Sequence, residues 1–248
     1  VSRPPLRAPH HSTSLVAMVG GGTSSLRPGE ISLATNGVLF LDELGEFAPS
    51  VLDALRQPLE EGVVRVARAK SSVQLPAKFL LVAATNPCPC GEGTPGLCVC
   101  DDRAKQKYLR RFSGPLLDRF DLRVAVTRPH VDELLAAKPA ESSKDIALRV
   151  ATARELAISR NGCLNSALSA DALEKCAPLS PAAASLLRHH VERGRLSGRG
   201  YHRIRRVART VSDLRDQSEC VDEVHVAVAL ALRVGVQPQF SGDKVVQA

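Results

Sequence analysis

Residues 37–44 read Gly-Val-Leu-Phe-Leu-Asp-Glu-Leu, a short uninterrupted apolar run that ends on two adjacent acids. Four consecutive apolar residues ahead of Asp42, opened by Asn36-Gly37, predict a strand buried on both faces, as in a parallel sheet. That commits the first part of the chain to an α/β arrangement. Consecutive carboxylates at the carboxyl end of such a strand stand at the edge where α/β sheets bind ligands, so Asp42 can face a hydrated Mg2+ while Glu43 polarises a water. The same octapeptide also suits a strand that ends in a solvated acidic turn.

A second apolar run, Phe79-Leu80-Leu81-Val82-Ala83-Ala84, predicts another fully buried strand and delivers Thr85-Asn86 to the same edge. The Asn86 amide can hold a water or a phosphate oxygen there. An apolar strand ending in Asp-Glu is the Walker B pattern of P-loop ATPases. The matching phosphate cradle is absent: Val19-Gly20-Gly21-Gly22-Thr23 is glycine-rich, but no G-x-x-x-x-G-K-[ST] follows it and no Lys occurs before Lys70. Those glycines, with Arg27-Pro28-Gly29-Glu30, predict turns around a short hairpin ending near Ile31 to Leu33. Adjacent residues of a strand point to opposite faces, so His10-His11 is read as structural or surface rather than as a metal pair.

Ala48-Pro49-Ser50 opens a predicted helix with Val51, Leu52, Leu55 and Leu59 at helical spacing, closed by Glu61-Gly62. Val63 to Val66 and Ser72 to Leu75 predict a hairpin carrying Arg65, Arg68 and Lys70 towards its tip. A basic tip suits a phosphate backbone, and it equally suits an edge hairpin kept soluble by charge. Ser113 to Asp121 predicts a compact helical turn, with Pro115 at its start, running into a strand from Leu122 to Val126. Its Arg119 is either a phosphate-seeking group or the partner of Asp118 or Asp121. Residues 128–143 read as linker plus a short helix, and beyond them the β signal disappears. Helical periodicity covers 144–159, 170–176, 181–193, 198–215 and 221–233, with Ser180-Pro181 and Ser197 as N-terminal caps.

Cys88-x-Cys90 and Cys98-x-Cys100 place four thiols within thirteen residues. They can fold into one tetrahedral zinc shell or stay as unligated, redox-labile thiols. Cys163, Cys176 and Cys220 stand alone in apolar helical patterns and read as small core residues. Seven cysteines without a charged-then-apolar leader fit a reducing compartment, and no run approaches the ~20 apolar residues of a membrane span. The formal net charge of +7 permits a polyanionic partner. Much of the excess is local, in a basic cluster of Arg188, Arg193, Arg195, Arg199, Arg203, Arg205, Arg206 and Arg209.

The order of these motifs resembles bacterial AAA+ ATPases of the magnesium-chelatase-like ComM/YifB type over essentially the whole chain. Arg7-Ala8-Pro9-His10-His11, Arg27 to Ala34, Gly37 to Leu44, Asn86-Pro87, Ser113 to Asp121 and Tyr201-His202-Arg203 carry the likeness. The resemblance implies an AAA+ parallel-sheet core over residues 1–138, incomplete at its N-terminus, followed by a small all-α lid over residues 139–248. It also implies that Asp42 and Glu43 are Walker B, Asn86 sensor 1 and Arg119 the arginine finger acting on a neighbouring subunit. Sensor 2 maps to Arg199, with Arg203 as the second choice. Residues 16–33 look like the helix-2 insert, and residues 62–76 look like the pre-sensor 1 hairpin. The family's Walker A loop precedes Arg7-Ala8-Pro9-His10-His11, so the chain reads as a C-terminal fragment that should not turn over ATP alone. The zinc reading rests on the cysteine spacing and not on the likeness.

For the intact protein the resemblance implies a cytoplasmic, homo-hexameric ring that hydrolyses ATP with Mg2+, with Glu43 as base and Asp42 holding the metal through water. Two substrate classes stay open. One is single-stranded or branched DNA in recombination or transformation; the other is a protein partner remodelled during metal insertion into a porphyrin. A non-catalytic role in binding nucleic acid or partner subunits is the third reading, for the chain as it stands.

Overall fold

Three short strands run parallel in the order β1 (Leu6–Arg7), β4 (Val38–Leu41), β7 (Leu80–Ala83), with Leu6 opposite Val38 and Val38 opposite Leu80. The computed structural model describes residues 3–22, 25–68, 71–92, 97–126 and 141–234, with the backbone alone at Ala67, Arg68 and Ser71. The chain divides into two units, Val1–Phe120 and Asp121–Ala248.

In the first unit the sheet's apolar side chains share one core with the helices around them. Leu39 and Leu41 of β4 meet Met18 of α1 (Leu15–Val19), Ile31 of α2 (Glu30–Leu33), and Val51 and Leu52 of α3 (Pro49–Ala54). Ser14 caps α1 by accepting from the Ala17 N–H. The predicted helix 49–61 is two pieces, α3 and α4 (Arg56–Glu61), because Pro58 has no N–H to continue the helical ladder. Gly62 closes α4 in the left-handed conformation that only glycine adopts freely. The hairpin follows as predicted, β5 (Val63–Arg68) antiparallel to β6 (Ser71–Pro76).

Several expectations are corrected. A short hairpin does form, between β2 (Gly20–Gly21) and β3 (Arg27–Pro28), but Ile31 to Leu33 belong to α2, begun by Gly29 as cap and Glu30 in its first turn. β7 is not buried on both faces. Leu81 and Ala83 face the core while Leu80 and Val82 are 62 % and 40 % exposed, because nothing among the described residues covers that side. β4 is fully buried only at Leu39 and Leu41. Residues 122–126 form no strand and are exposed at Leu122, Val124 and Val126. The Arg123 N–H instead donates to the Leu232 carbonyl at 2.5 Å. A helix not foreseen, α5 (Asp102–Leu109), is capped by Asp101.

The second unit is all helical: α7 (Ser143–Asn161), α8 (Ala170–Cys176), α9 (Pro181–Glu192), α10 (Gly198–Arg215) and α11 (Glu223–Val234), after α6 (Gly114–Leu117) of the first unit. Ser142, Ser169, Ser180 and Ser197 each cap a helix through the side-chain oxygen. Leu173, Leu187, Ile204, Val226 and Ala229 are fully buried in one core. Cys163 and Cys176 pack against it, but Cys220 is exposed between α10 and α11 and is not a core residue. The predicted linker at 128–143 lies largely outside the described residues. No described helix is long and apolar enough to cross a membrane.

Candidate active site

Parallel pairing brings three strand ends to one edge. Asp42 and Glu43 leave β4 there, exposed to solvent, and Thr85 and Asn86 leave β7 beside them. Two main-chain bonds clamp the exits together: Ala84 N–H to Leu41 carbonyl at 2.9 Å and Leu44 N–H to Ala84 carbonyl at 2.8 Å. Glu43 itself has φ 50° and ψ 47°, a left-handed conformation that costs a non-glycine residue about 1 kcal/mol. That turn redirects the chain into a 3-10 segment at Leu44–Glu46 and leaves both carboxylates outside the core. Asp42 is drawn back, accepting the Glu43 N–H at 2.9 Å.

His11 is the site residue that reading the motifs singly does not find. Its Nδ1 lies 3.1 Å from the Glu43 carboxylate, and its ring stacks on that of His10 at 4.0 Å. No signal in the sequence marks it: the pairing of Arg7 with Leu39 brings the two chain segments side by side, and the turns beyond the strands set His11 against Glu43. His10 turns to the Ser12 hydroxyl at 2.8 Å, which accords with the structural role predicted for it. Behind them Arg7 grips Glu30 in a two-pronged contact at 2.6 and 2.7 Å, which raises the pKa of Arg7 through that hydrogen bond.

The Asn86 end is built on α5. Tyr108 is buried and its hydroxyl lies 2.9 Å from that of Thr85; burial pushes the phenol pKa up. Gly45 faces the same ring, and a Cβ at that position would sit 2.3 Å from the Tyr108 oxygen, so only glycine fits. Directly after Asn86 the four cysteines converge. Their sulfurs all lie within 4.8 Å of one another, with Cys88 at 1 % exposure. Cys90 is held down to about 6, first by a main-chain hydrogen bond from Glu92 and then by the Cys88 thiol, whereas burial pushes Cys100 up to about 11.

Arg119 is in the same unit but engaged elsewhere. Its Nε donates to the Arg56 carbonyl at 2.9 Å, one terminal nitrogen to the Pro115 carbonyl at 2.6 Å and the other to Glu60, leaving the side chain 12 % exposed. Arg199 and Arg203 lie in the first turns of α10 in the second unit, four residues apart and therefore on one face. Arg199 is exposed, while Arg203 donates to Asp121 at 2.7 Å.

Arg65 of the hairpin points away from the core, opposite the buried Val64 and Val66, and pairs with Glu61 at 2.8 Å. The Arg68 side chain and Lys70 lie outside the described residues. The basic cluster of the second unit is split: Arg188, Arg193, Arg195 and Arg199 are exposed, whereas others are turned inward. Arg205 is buried and held by Glu174 and by the carbonyls of Leu173 and Ala177 at 3.0 Å; Arg206 donates to the Leu168 carbonyl at 2.8 Å. Arg209 lies buried against Asp213. Part of the sequence's excess positive charge there is therefore internal.

Comparison with known proteins agrees with this architecture. The family described as magnesium chelatase, subunit ChlI, matches residues 1–134, and that of the ChlI C-terminal region matches residues 140–233. The chain is 44 % identical over 234 residues to the competence protein ComM of Haemophilus influenzae, covering 94 % of this chain and 46 % of that protein. An uncharacterized protein of Mycobacterium tuberculosis is 46 % identical over 238 residues, covering 94 % and 47 % respectively. The uncharacterized protein YifB of Escherichia coli is 43 % identical over 230 residues, covering 92 % and 45 %. The chain thus spans about half the length of the curated relatives it matches.

Proposed function

The chain belongs to the magnesium chelatase subunit ChlI family, and from that premise we propose that it forms most of one ATPase module in a ring-shaped AAA+ motor. In this proposal ATP and Mg2+ are its cofactors, and further copies of the chain are its partners in a cytoplasmic homo-hexameric ring. The observation that carries it is the shared edge, where Asp42 and Glu43 leave β4 beside Asn86 from β7, with His11 against Glu43.

The exposed Asp42 carboxylate is a hard oxygen donor of the kind that hydrated Mg2+ takes, and the bound ion would neutralise charge on the phosphates. Glu43, oriented by His11, takes the proton of the attacking water, and the Asn86 amide holds that water in line. Arg119 serves a neighbouring subunit's phosphates by exchanging Glu60 for phosphate oxygens. Arg199, with Arg203 the second choice, contacts nucleotide from the helical unit. A structural Zn2+ belongs on Cys88, Cys90, Cys98 and Cys100. The 248 residues hold no G-x-x-x-x-G-K-[ST], so this chain by itself is expected to show no turnover.

The substrate proposed is single-stranded or branched DNA during transformation or recombination. Likeness to a protein named for competence supports it, as does the outward Arg65 of a hairpin whose sequence continues with Arg68 and Lys70. The description of the family as a chelatase subunit favours a second reading, a protein partner remodelled during metal insertion.

The test uses the full-length protein. Glu43→Gln should abolish Mg2+-dependent turnover with nucleotide binding kept; unchanged turnover rejects the ATPase assignment. Replacing Arg65, Arg68 and Lys70 by Ala should weaken DNA binding regardless of sequence, and flatten the log-affinity against log-salt slope by about 0.7 per lost contact on a single strand. Absence of salt-dependent affinity for single-stranded or forked DNA would move the chelatase-type reading ahead.

A further inference from the structure

The segment between β7 and α5 leaves the sheet edge and comes back to it, and four cysteines close the excursion. Cys88 and Cys90 follow Asn86 on the way out; Cys98 and Cys100 precede Asp101, the cap of α5, on the way back. Sγ of Cys88 lies 3.3 Å from that of Cys90 and 3.7 Å from that of Cys98, and the Cys90 and Cys98 sulfurs are 3.8 Å apart. Thiolates around one tetrahedral Zn2+, each at about 2.3 Å, are about 3.8 Å from one another. Free thiols are weak hydrogen-bonding groups and supply little force to draw four sulfurs together.

The knot also touches the site. Gly91, inside it, donates its N–H to the Cys88 carbonyl at 3.0 Å with φ +80°. Its Cα faces the Asn86 side chain, since a Cβ there would lie 3.8 Å from both the amide carbon and nitrogen of Asn86. On the return limb α5 carries Tyr108, bonded to Thr85. The Asn86 amide makes no hydrogen bond among the described residues, so its direction is set by the limbs on either side of it. Separating those limbs would leave an exposed side chain free to rotate.

We propose that Cys88, Cys90, Cys98 and Cys100 bind one Zn2+ and that the closed knot holds Asn86 in place at the hydrolytic edge. The cysteines are positioning residues that act through Asn86, so metal loss or thiol oxidation switches hydrolysis down without touching nucleotide contacts. The proposal rests on the reading of Asn86 as the group that holds the attacking water.

The full-length protein, purified without chelator, should carry one Zn2+ per chain by elemental analysis, released by a chelator on mild acidification. Stripping should speed amide exchange at residues 85–92 and in the first turn of α5 while leaving α10 unchanged. It should lower kcat to the level of Asn86→Ala with KM for ATP within about twofold, and add nothing in the Asn86→Ala background, as for two changes acting through one group. Cys98→His, which keeps a ligand, should retain zinc and kcat; Cys98→Ser should lose both. Zinc-free protein, unchanged exchange at 85–92, or a loss that multiplies with Asn86→Ala overturns the proposal. Faster exchange at 85–92 with full turnover in Asn86→Ala would uphold the metal's grip on Asn86 and reject the hydrolytic reading of that residue.

Discussion

In the helical unit Arg209 and Asp213 are each 1 % exposed and 2.8 Å apart, whereas in the α/β unit Asp42 and Glu43 stand in solvent, with His11 against Glu43. Asp213 also accepts both terminal nitrogens of Arg160 at 2.8 Å and the Asn165 amide at 2.7 Å, so its lone pairs are filled from within the chain. The carboxylates at the strand edge are left with acceptor capacity for a metal ion, a water or a proton. Similar residue types thus serve opposite ends. A buried charge is tolerated only when fully partnered and is then unavailable for chemistry, while an exposed one keeps its lone pairs for a ligand.

The contrast is broken most severely at Asp213. Asp213→Ala leaves Arg209 and Arg160 facing an uncompensated site and should cost the helical unit about 3–5 kcal/mol, read as a fall in its denaturant midpoint. Arg209→Met with Asp213→Leu should recover the part of that loss due to Arg209, because an apolar pair needs no partners, while Arg160 and Asn165 still lack their acceptor. No recovery in the double variant, or a cost under about 1 kcal/mol for Asp213→Ala, would place Asp213 with the exposed acids instead.

Acid should reveal the same network. Burial pushes the Asp213 pKa up, but hydrogen bonds from Arg160 and Asn165 and the charge of Arg209 outweigh it and hold the carboxyl below its usual range. A folded-state pKa below the unfolded value means that the contribution is fully present above about pH 4 and is lost as pH falls through the lowered folded pKa. Acid titration of the helical unit should therefore show a loss of stability in that low window, smaller in Asp213→Asn and carried there by Glu174, Asp216 and Asp222, which are also held low.

At the strand edge the effect should fall on rate rather than stability. His11→Ala removes one hydrogen bond to a carboxylate and should lower turnover of the full-length protein about tenfold, with its unfolding midpoint unchanged. A drop in the midpoint would mean that His11 belongs to the fold and not to the site. The smallest effect is expected for Arg203→Ala, whose partner Asp121 is largely exposed: about 0.2–1 kcal/mol in the same denaturant assay, shrinking as salt is added.

Much of the helical unit was legible because its helices announce themselves locally. A serine cap, an apolar stripe and a first-turn proline placed α9 and α10 within a residue of their observed ends, and Asn36-Gly37 with the apolar run located β4. α5 escaped because Asp-Arg-Ala-Lys-Gln-Lys has no apolar stripe; of its residues only Tyr108 is buried, and that ring is held by contacts with Thr85 and Gly45. The hairpin expected to end at Ile31 to Leu33 ended earlier because Glu30 could start a helix as readily as a strand.

Within the site, sequence alone determined that two acids would stand at a strand end with an asparagine at another and that four thiols would lie close along the chain. Those are properties of neighbours in the chain, set by side-chain chemistry and a short-range period. Only the tertiary structure decided which of these groups meet. It placed His11 on Glu43, Glu60 on Arg119 and Gly91 on Asn86, and it withdrew Arg205 and Arg209 from the surface. Burial and pairing across tens of residues depend on how strands register and helices pack, and no local pattern of residues encodes either one.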